Sequence, residues 1–501
     1  MDSRLQNNVL FGQNAKFRYL FIVALLLLFA FLGTKDIWTQ EHRWADIVSG
    51  MFYRHDFLHP YLGSNQYYDK PLLSYWLIAA FSQLVGLTTW ALRLPSACAG
   101  LIAIWSIYQL GTLLKDKSFG LLSGWLLLST FYFIFWARVS SADMLNLAGI
   151  LLALVWYFKK REYPSFYNYS VFFLILAVTS LCKGLVGAAV PLIAVFVDGV
   201  LHQSFKKHLR PAFFLSMLPA AIIYFLPFLA SSLWGDTAFS QNGLYLVYRE
   251  NVLRYFKPFD HQGPIYTYFV YLPIYLLPWT VFFIPAIYSV YSRYKNMTLL
   301  SKWITFTLLL TFLFFTFSGS RRNYYILPVV PFAILFTADW IYTRPLFSKK
   351  WFEVMIISLL IMFFLLLDVL PAWYDKYYGV KPFVSKLKSE ATQIKPWHAW
   401  NIVLLDAESK LSFYLKLPPD LPHYGLKGSL RVEQTPSSLE KTWPVLLQKP
   451  SSTIFITRKR YLPLLANYFK GYRQVGLTSP SIVKSDDQDD PVAFIPIFEA
   501  V

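Results

Sequence analysis

The sequence predicts a polytopic α-helical membrane protein of about 11–13 spans with a C-terminal soluble α/β domain. Its 501 residues are 56% hydrophobic and 19% aromatic, with a mean hydropathy of +0.42. Apolar runs recur through residues 1–372, and about 20 apolar residues cross roughly 30 Å of hydrocarbon. Residues 373–501 contain fewer long apolar runs and more Lys, Asp, Ser and Pro. This change predicts a domain boundary near residue 372.

The clear candidate spans are apolar runs bounded by polar or basic residues. They lie near 18–34, 91–113, 118–136, 143–158, 167–182, 184–201, 211–230, 265–290, 299–317, 323–343 and 351–371. The shorter segment 72–86 either crosses the membrane or lies flat in its interface. The N-terminus has basic residues before an apolar run and lacks a small-residue cleavage site, which favours a retained first span.

The net charge of +18 resides mostly in short loops between these spans. With a cytoplasmic N-terminus and segment 72–86 left out of the count, every cytoplasmic loop is basic, as the positive-inside rule requires. The outer side of the membrane then receives the loops 35–90 and 231–264 and the domain 373–501. Because the charge orients the spans, it argues against nucleic acid as a partner.

The two cysteines give no sign of a disulfide-stabilised protein. Cys98 and Cys182 both lie in apolar segments, so the sequence offers no disulfide framework.

The tail contains the local patterns of four strands and one helix. The predicted strands are 401–407, 452–458, 472–477 and 492–498, and the predicted helix is 459–470. The segment 485–490 reads as a solvated loop. A cap or partner-binding domain is the expected role of this tail.

The first loop, 35–71, carries an unusual set of ionisable groups for a connection between two spans. Glu41 opens it, and the stretch YYDKP at 67–71 contains Asp69 and Lys70. A lysine can hold a phosphate as a point charge, and an acid beside it can bind a metal or accept a hydrogen bond. The alternative is an interfacial ion pair of small energetic consequence.

Asp143 begins a predicted span in the stretch RVSSAD. A carboxylate at this position is a candidate base, but the positive end of the helix dipole also favours it as an N-cap. Farther along, the loop 245–264 mixes Glu250, Arg254 and His261 with aromatics, which indicates either a site or an interfacial amphipathic helix. The arginines of SGSRRNYYILP at 318–328 either grip a phosphate in a bidentate fork or form a charged outer turn.

Taken in order, these segments resemble a known family. The run EHRWADI from Glu41, YYDKPLLSYW, the span-start Asp143, CKGLVGAAVP, RENVLRYF with DHQGPIYTYF, and NYYILPVVP is similar to the bacterial aminoarabinose (4-amino-4-deoxy-L-arabinose) lipid A transferases. It also resembles the related dolichyl-phosphate-mannose–protein mannosyltransferase-like enzymes. These are polytopic GT-C glycosyltransferases, and the resemblance covers about residues 35–340.

The resemblance implies a bacterial inner membrane protein with its active site at the outer, periplasmic face. It also implies a polyprenyl-phosphate sugar as donor. Lys70 would hold the donor phosphate with help from Arg254, because it matches the lysine of the family's E-K-P motif. Asp69 stands where the family usually has Glu. Lys183 matches the family's lysine–glycine, and Tyr325 matches the tyrosine of its Y-x-L-P stretch.

Two departures from the family pattern matter. The family commonly has Asp-Glu at the start of the first loop helix, where this chain has Gln40-Glu41, so the resemblance leaves either Glu41 or Asp143 as the catalytic base. The aminoarabinose enzymes tend to carry Glu-His in the later loop, where this chain has Glu250-Asn251. Asp69, Glu250 and His261 are the candidate ligands of a divalent metal, the one cofactor considered.

The expected function is sugar transfer from a polyprenyl-phosphate donor to lipid A or another acceptor at the outer face, with membrane lipids as surroundings. The alternatives are a protein O-glycosyltransferase, a polymer ligase on the same scaffold, and a lipid-linked sugar transporter or flippase. Transporters usually place polar groups near the bilayer midplane. The acids of this sequence gather at one face, which favours an enzyme.

Overall fold

The structure is a computed structural model. It describes residues 10–11, 16–38, 40–208, 210–234, 243–344, 350–407, 410–421, 423–424, 450–465, 469–476 and 488–497. The chain forms two compact units. The first comprises Met1–Leu32, Phe57–Pro60 and Tyr67–Asp368, and the second comprises Gly33–Asp56, Tyr61–Gln66 and Val369–Val501. The second unit thus combines most of the first loop with the tail.

The first unit is helical around one large apolar core. Its α-helices in the described residues are Phe17–Phe29, Leu73–Val85, Thr89–Leu114, Lys117–Leu128, Phe131–Ala137, Ala142–Lys160, Phe166–Lys183, Val186–Leu201, Phe205–His208, Pro211–Leu215, Met217–Leu233, Gly243–Tyr248, Arg254–Phe256, Thr267–Tyr275, Thr280–Tyr288, Val290–Arg293, Leu299–Thr316, Val330–Tyr342 and Lys350–Phe364. Arg249–Leu253 and Leu365–Val369 are π-helical, and Tyr294–Asn296 and Asn323–Val329 are 3₁₀-helical.

Among the described residues, 7 helices are long and apolar enough to cross a membrane, or 8 if the pair Lys117–Leu128 and Phe131–Ala137, bent by 72°, is one span. Three shorter apolar helices are Phe17–Phe29, Leu73–Val85 and Val186–Leu201. The prediction of a multi-pass membrane protein is confirmed. The number of described helices that are long and apolar enough to cross a membrane is lower than the predicted count of about 11–13 spans.

One reason for the lower count is a break inside the predicted span 265–290. Two nine-residue helices, Thr267–Tyr275 and Thr280–Tyr288, replace the expected continuous helix. Pro278 lies between them and has no backbone N–H to continue the hydrogen-bond ladder. Hydropathy alone does not register this break, because the whole segment is apolar.

Close packing of three helices positions part of the site described below. A Cβ on Gly149 would lie 2.1 Å from the Thr179 hydroxyl oxygen, and one on Gly187 would lie 2.7 Å from the Asn146 amide nitrogen. Small residues allow such backbone approach between membrane helices. The start of Ala142–Lys160 therefore lies beside the end of Phe166–Lys183.

Three carboxylates near span ends or within the last span are buried in the first unit, where an unpaired charge would be costly. Each has a basic partner: Asp198 pairs with Arg161 at 2.7 Å, Asp339 pairs with Lys115, and Asp368 pairs with Arg138. These pairs give each of the three buried carboxylates a compensating charge.

The second unit contains a five-stranded sheet of order β4-β3-β5-β7-β6. Its strands are β3 (Asn401–Leu405), β4 (His423–Tyr424), β5 (Thr453–Arg458), β6 (Tyr472–Gly476) and β7 (Pro491–Pro496), and a separate hairpin pairs β1 (Tyr61–Leu62) with β2 (Asn65–Gln66). Strand β3 runs parallel to β4 and β5, whereas β7 is antiparallel to β5 and β6. All four predicted strand segments of the tail form strands.

Helices cover this sheet and give the tail its predicted α/β character. The described α-helices of the unit are Glu41–Arg54, Leu370–Tyr378, Val380–Ile394, Lys410–Leu415 and Leu462–Leu465, with 3₁₀ turns at Trp397–Ala399, Pro450–Ser452 and Lys459–Tyr461. The predicted helix 459–470 is thus shorter than expected, and 466–468 lie outside the described residues. Of the predicted loop 485–490, the structure describes only 488–490.

Candidate active site

Asp69 and Lys70 form an ion pair just before the helix Leu73–Val85. Lys70 Nζ lies 2.9 Å from Asp69 Oδ2, and the Tyr67 hydroxyl donates to the same oxygen at 3.2 Å. Burial would raise the pKa of the Asp69 carboxyl, but Lys70 and Arg254 together hold it well below its usual range. Burial lowers the pKa of Lys70, and Asp69 more than offsets this. Both groups are therefore charged at neutral pH.

Arg254, from the later loop, joins this pair. Its Nη1 lies 2.5 Å from Glu250 Oε2 and 3.4 Å from Asp69 Oδ1, and its Nη2 donates to Asp260. Burial raises the pKa of Glu250, against the opposing effect of Arg254. Burial lowers the pKa of Arg254, but Glu250 and the other nearby anions raise it overall. The guanidinium thus stays charged and is surrounded by three carboxylates.

His261 is connected to this group through Asp260. Its Nε2 lies 3.3 Å from Asp260 Oδ2. Burial, followed by the charge of Arg322, lowers the pKa of His261. Because that pKa lies below the ordinary value near 6.5, the imidazole is neutral at neutral pH.

Arg321 holds backbone carbonyls of the surrounding loops. Its Nε donates to Gly263 O at 2.6 Å and its Nη1 donates to Ser318 O at 2.5 Å. Arg322 instead donates to the Tyr324 hydroxyl at 2.8 Å. In this structure Arg321 braces the loops, Arg322 contacts the nearby Tyr324, and the two arginines do not form a shared fork.

Asp143 and Lys183 form the second charged pair of the region. The Ser141 hydroxyl accepts the Asp143 N–H at 3.3 Å and supplies the N-cap, so Asp143 lies in the first helical turn and is not itself the cap. Lys183 contacts Asp143 Oδ1, and its Nζ lies 5.2 Å from the ring centre of Tyr325. The Asp143 carboxylate is therefore held beside a cation.

One cavity of about 420 Å³ brings most of the predicted residues together. Its polar lining includes Asp69, Lys70, Lys183, Glu250, Asn251, Arg254 and Tyr325. Its apolar lining includes Leu185, Val186, Ala189, Val252, Phe256, Phe314 and Phe315. Asp143 reaches this set through Lys183, and His261 reaches it through Asp260.

Glu41, the other candidate base, belongs to the second unit. It begins the helix Glu41–Arg54, and its side chain is fully buried. Its Oε2 accepts the Trp38 N–H at 2.8 Å. Within its own unit, Glu41 thus orders the start of this helix.

The predicted metal ligands are each paired with protein groups. Asp69 faces Lys70 and Arg254, and Glu250 faces Arg254. Among the residues that the structure describes, no three His, Cys, Asp or Glu side chains are grouped so that they could hold a metal ion. Metal binding by Asp69, Glu250 and His261 stays a prediction.

Two residues of the region had no role in the sequence prediction. Asp260 balances Arg254, and Asn251 accepts the Leu185 N–H at 2.6 Å. Both lie in the loop 245–264, whose mixed charges indicate either a site or an interfacial helix. No local pattern shows that Asn251 meets residue 185, because that contact depends on how two distant segments fold together.

The arrangement has three chemical capacities. Lys70, Lys183 and Arg254 supply cationic donors suited to a phosphate group. The aromatic and aliphatic lining suits a hydrocarbon chain. A carboxylate such as that of Asp143 can accept a proton from a hydroxyl group that lies within hydrogen-bond reach.

Comparisons with known proteins agree with this reading. Residues 69–231 match the family described as dolichyl-phosphate-mannose-protein mannosyltransferase. The chain is 26% identical over 352 residues to an uncharacterized protein of Aquifex aeolicus (strain VF5), covering 67% of this chain and 66% of that protein. It is 24% identical over 344 residues to undecaprenyl phosphate-alpha-4-amino-4-deoxy-L-arabinose arabinosyl transferase 1 of Proteus mirabilis (strain HI4320), covering 66% and 60%.

A solved structure shares the fold. The crystal structure of ArnT from Cupriavidus metallidurans bound to undecaprenyl phosphate has a TM-score of 0.71, with 16% sequence identity and coverage of 95% of this chain and 97% of that one. The two sequence relatives are matched over only 66% and 60% of their own lengths. The chain is therefore similar, through residues 69–231, to the dolichyl-phosphate-mannose-protein mannosyltransferase family, and arabinosyl transferases are among its relatives.

Proposed function

We propose that the chain is an integral-membrane glycosyltransferase that moves a sugar from a polyprenyl-phosphate donor to lipid A or another acceptor. The cavity that joins Lys70, Lys183 and Arg254 to an apolar lining carries this proposal. A phosphate on a long hydrocarbon chain needs both features at one place. The cations are suited to the phosphate, and the lining Val186, Phe314 and Phe315 is suited to the first part of the chain.

The transfer breaks the bond between the anomeric carbon and the donor phosphate oxygen, which keeps the electron pair. The acceptor hydroxyl oxygen forms the new bond from the opposite side, which inverts the anomeric centre. Asp143 takes the hydroxyl proton, a role typically worth about 10²–10⁴-fold in rate. Lys70 and Arg254 stabilise the charge that develops on the departing phosphate.

The pairing of Asp143 with Lys183 suits a base of this kind. The ammonium group contacts the carboxylate and holds it in place before the acceptor arrives. Glu41 is the alternative base, and the side of the membrane proposed for the site is the outer, periplasmic one. The basic loops between the predicted spans support that orientation.

A second acceptor class is a protein hydroxyl. The family matched by residues 69–231 is described as a protein mannosyltransferase family, whereas the Proteus mirabilis relative is described as an arabinosyl transferase acting with undecaprenyl phosphate. Mass spectrometry separates the two: a deletion strain would lose a sugar from lipid A in one case and from a protein in the other. Unchanged lipid A would move the assignment to the protein acceptor.

The site assignment is tested in membranes supplied with a polyprenyl-phosphate sugar and acceptor lipid. Lys70→Ala and Asp143→Asn should each abolish transfer. Glu162→Gln is a suitable control, since Glu162 is 67% exposed and pairs with Lys207. Full activity of both site variants would overturn the assignment.

A further inference from the structure

Asn251 connects the two chain segments that supply cations to the cavity. Its Oδ1 accepts the Leu185 N–H at 2.6 Å, and its Nδ2 donates to the Val247 carbonyl at 2.8 Å in its own helical segment. Both ends of the amide are therefore engaged, one with each segment.

On one side of this connection is the turn after Lys183. Gly184 has φ +128, a conformation that residues with a side chain rarely adopt, and Leu185 follows at the start of the helix Val186–Leu201. The first N–H groups of a helix have no partner within it, so Asn251 supplies one. A Cβ on Gly184 would lie 2.9 Å from Asn251 Oδ1, which shows how closely the two segments approach.

On the other side is the π-helical segment Arg249–Leu253, in which Asn251 follows Glu250 directly. Arg254 directly follows the end of this segment and pairs with Glu250 at 2.5 Å. The bond to Leu185 therefore ties the segment that carries Arg254 to the turn that carries Lys183. Both cations line the same cavity.

We propose that Asn251 is a positioning residue that sets the spacing of Lys183 and Arg254 for the donor phosphate. The inference rests on the proposed function for the identity of that phosphate. We call the hydrogen bond from the Leu185 N–H to Asn251 Oδ1 the clamp. A phosphate bound by two cations at once is sensitive to their separation. Loss of the clamp therefore weakens donor binding more than it slows the chemical step.

The test measures the Kd of undecaprenyl phosphate by quenching of intrinsic tryptophan fluorescence in nanodiscs, together with KM and kcat for transfer. Asn251→Leu keeps the approximate size and removes both hydrogen bonds. Only the bond to Leu185 joins the two segments. We expect the Kd to rise about tenfold, the upper range for the loss of that one hydrogen bond, and kcat to be nearly unchanged. Asn251→His retains an acceptor at Nδ1 toward Leu185 and should lose less.

Two further variants separate positioning from a general loss of structure. Gly184→Ala disturbs the same contact, so its effect on Kd should be non-additive with that of Asn251→Leu. Asn168→Leu removes a comparable bond, from Nδ2 to Tyr163 O at 2.7 Å, on another part of the chain, and should leave Kd unchanged. The melting temperature of each variant is measured alongside.

A wild-type Kd for Asn251→Leu, full additivity with Gly184→Ala, or a fall in kcat without a change in Kd would overturn the inference. Wild-type protein that binds undecaprenyl phosphate yet transfers no sugar would overturn the proposed function alone. The clamp would still be decided by the Kd series. Wild-type protein that does not bind this lipid would overturn both.

Discussion

Lys183 and Asp143, which are 40 positions apart in the sequence, form an ion pair whose side chains are 10% and 9% exposed. Lys183 ends one helix and Asp143 begins another, so the pair exists only because the two helices pack closely. The pair places a candidate base directly beside a cation that is a candidate for binding the donor phosphate.

Replacing only one partner of this pair should destabilise the protein more than replacing both partners. Lys183→Met leaves the Asp143 carboxylate buried beside no cation of its own, which should cost about 3–5 kcal/mol of unfolding free energy. The double variant Asp143→Leu/Lys183→Met should be closer to the wild type in chemical denaturation. Equal stability of the single variant and the wild type would show that water solvates the carboxylate.

Arg254→Lys should weaken donor binding although the charge is kept. Arg254 contacts Glu250, Asp69 and Asp260 at once through its planar fork, and a lysine ammonium cannot reproduce that geometry. We expect a higher KM for the donor and a smaller change in kcat. Lys302→Arg, on the helix Leu299–Thr316 and outside the cavity lining, is the matched control. A wild-type KM would argue against a role for the fork.

Asp46, in the helix Glu41–Arg54, gives the second unit a pH dependence. Burial raises the pKa of its carboxyl to about 7. Between about pH 4 and 7 the folded state therefore binds more protons than the unfolded state, so stability falls as the pH rises through this window. Asp46→Asn should be more stable than the wild type above pH 7, on the order of 3 kcal/mol, and equal to it below pH 4. Thermal melts of both proteins across this range measure the difference in stability. A difference that does not change with pH would show that the carboxyl is not buried.

Gly149→Ala tests the packing that brings Asp143 to Lys183. The new Cβ would lie 2.1 Å from the Thr179 hydroxyl oxygen, so we expect a loss of about 1–3 kcal/mol despite the better helix propensity of alanine. Thr179→Ala should restore much of this stability by making room. If Gly149→Ala melts like the wild type, the two helices do not approach as closely as described.

Chelation separates two roles for Asp69 and Glu250. Both carboxylates already face Lys70 or Arg254, which balance their charge. We therefore expect transfer activity to survive dialysis against EDTA. Activity that is lost on dialysis and restored by a divalent cation would instead support the predicted ligand set Asp69, Glu250 and His261.

Local patterns were sufficient to select most of the residues that line the candidate site. The neighbours Asp69 and Lys70, the four-residue spacing of Glu250 and Arg254, and the position of Asp143 at a helix start are all visible in the sequence. Each depends on chemistry or helical periodicity over a few residues. The resemblance of the ordered motifs predicts the same family that residues 69–231 match.

The sequence by itself determined that this is a multi-pass helical membrane protein with a small α/β tail, because hydropathy and strand patterns are local properties. Only the tertiary structure decided which charges meet. Lys183 pairs with Asp143, Asn251 meets Leu185, and Glu41 belongs with the tail in the second unit. The first two contacts depend on the close approach of distant backbones at Gly149, Gly184 and Gly187, and no local pattern encodes the partner across that approach.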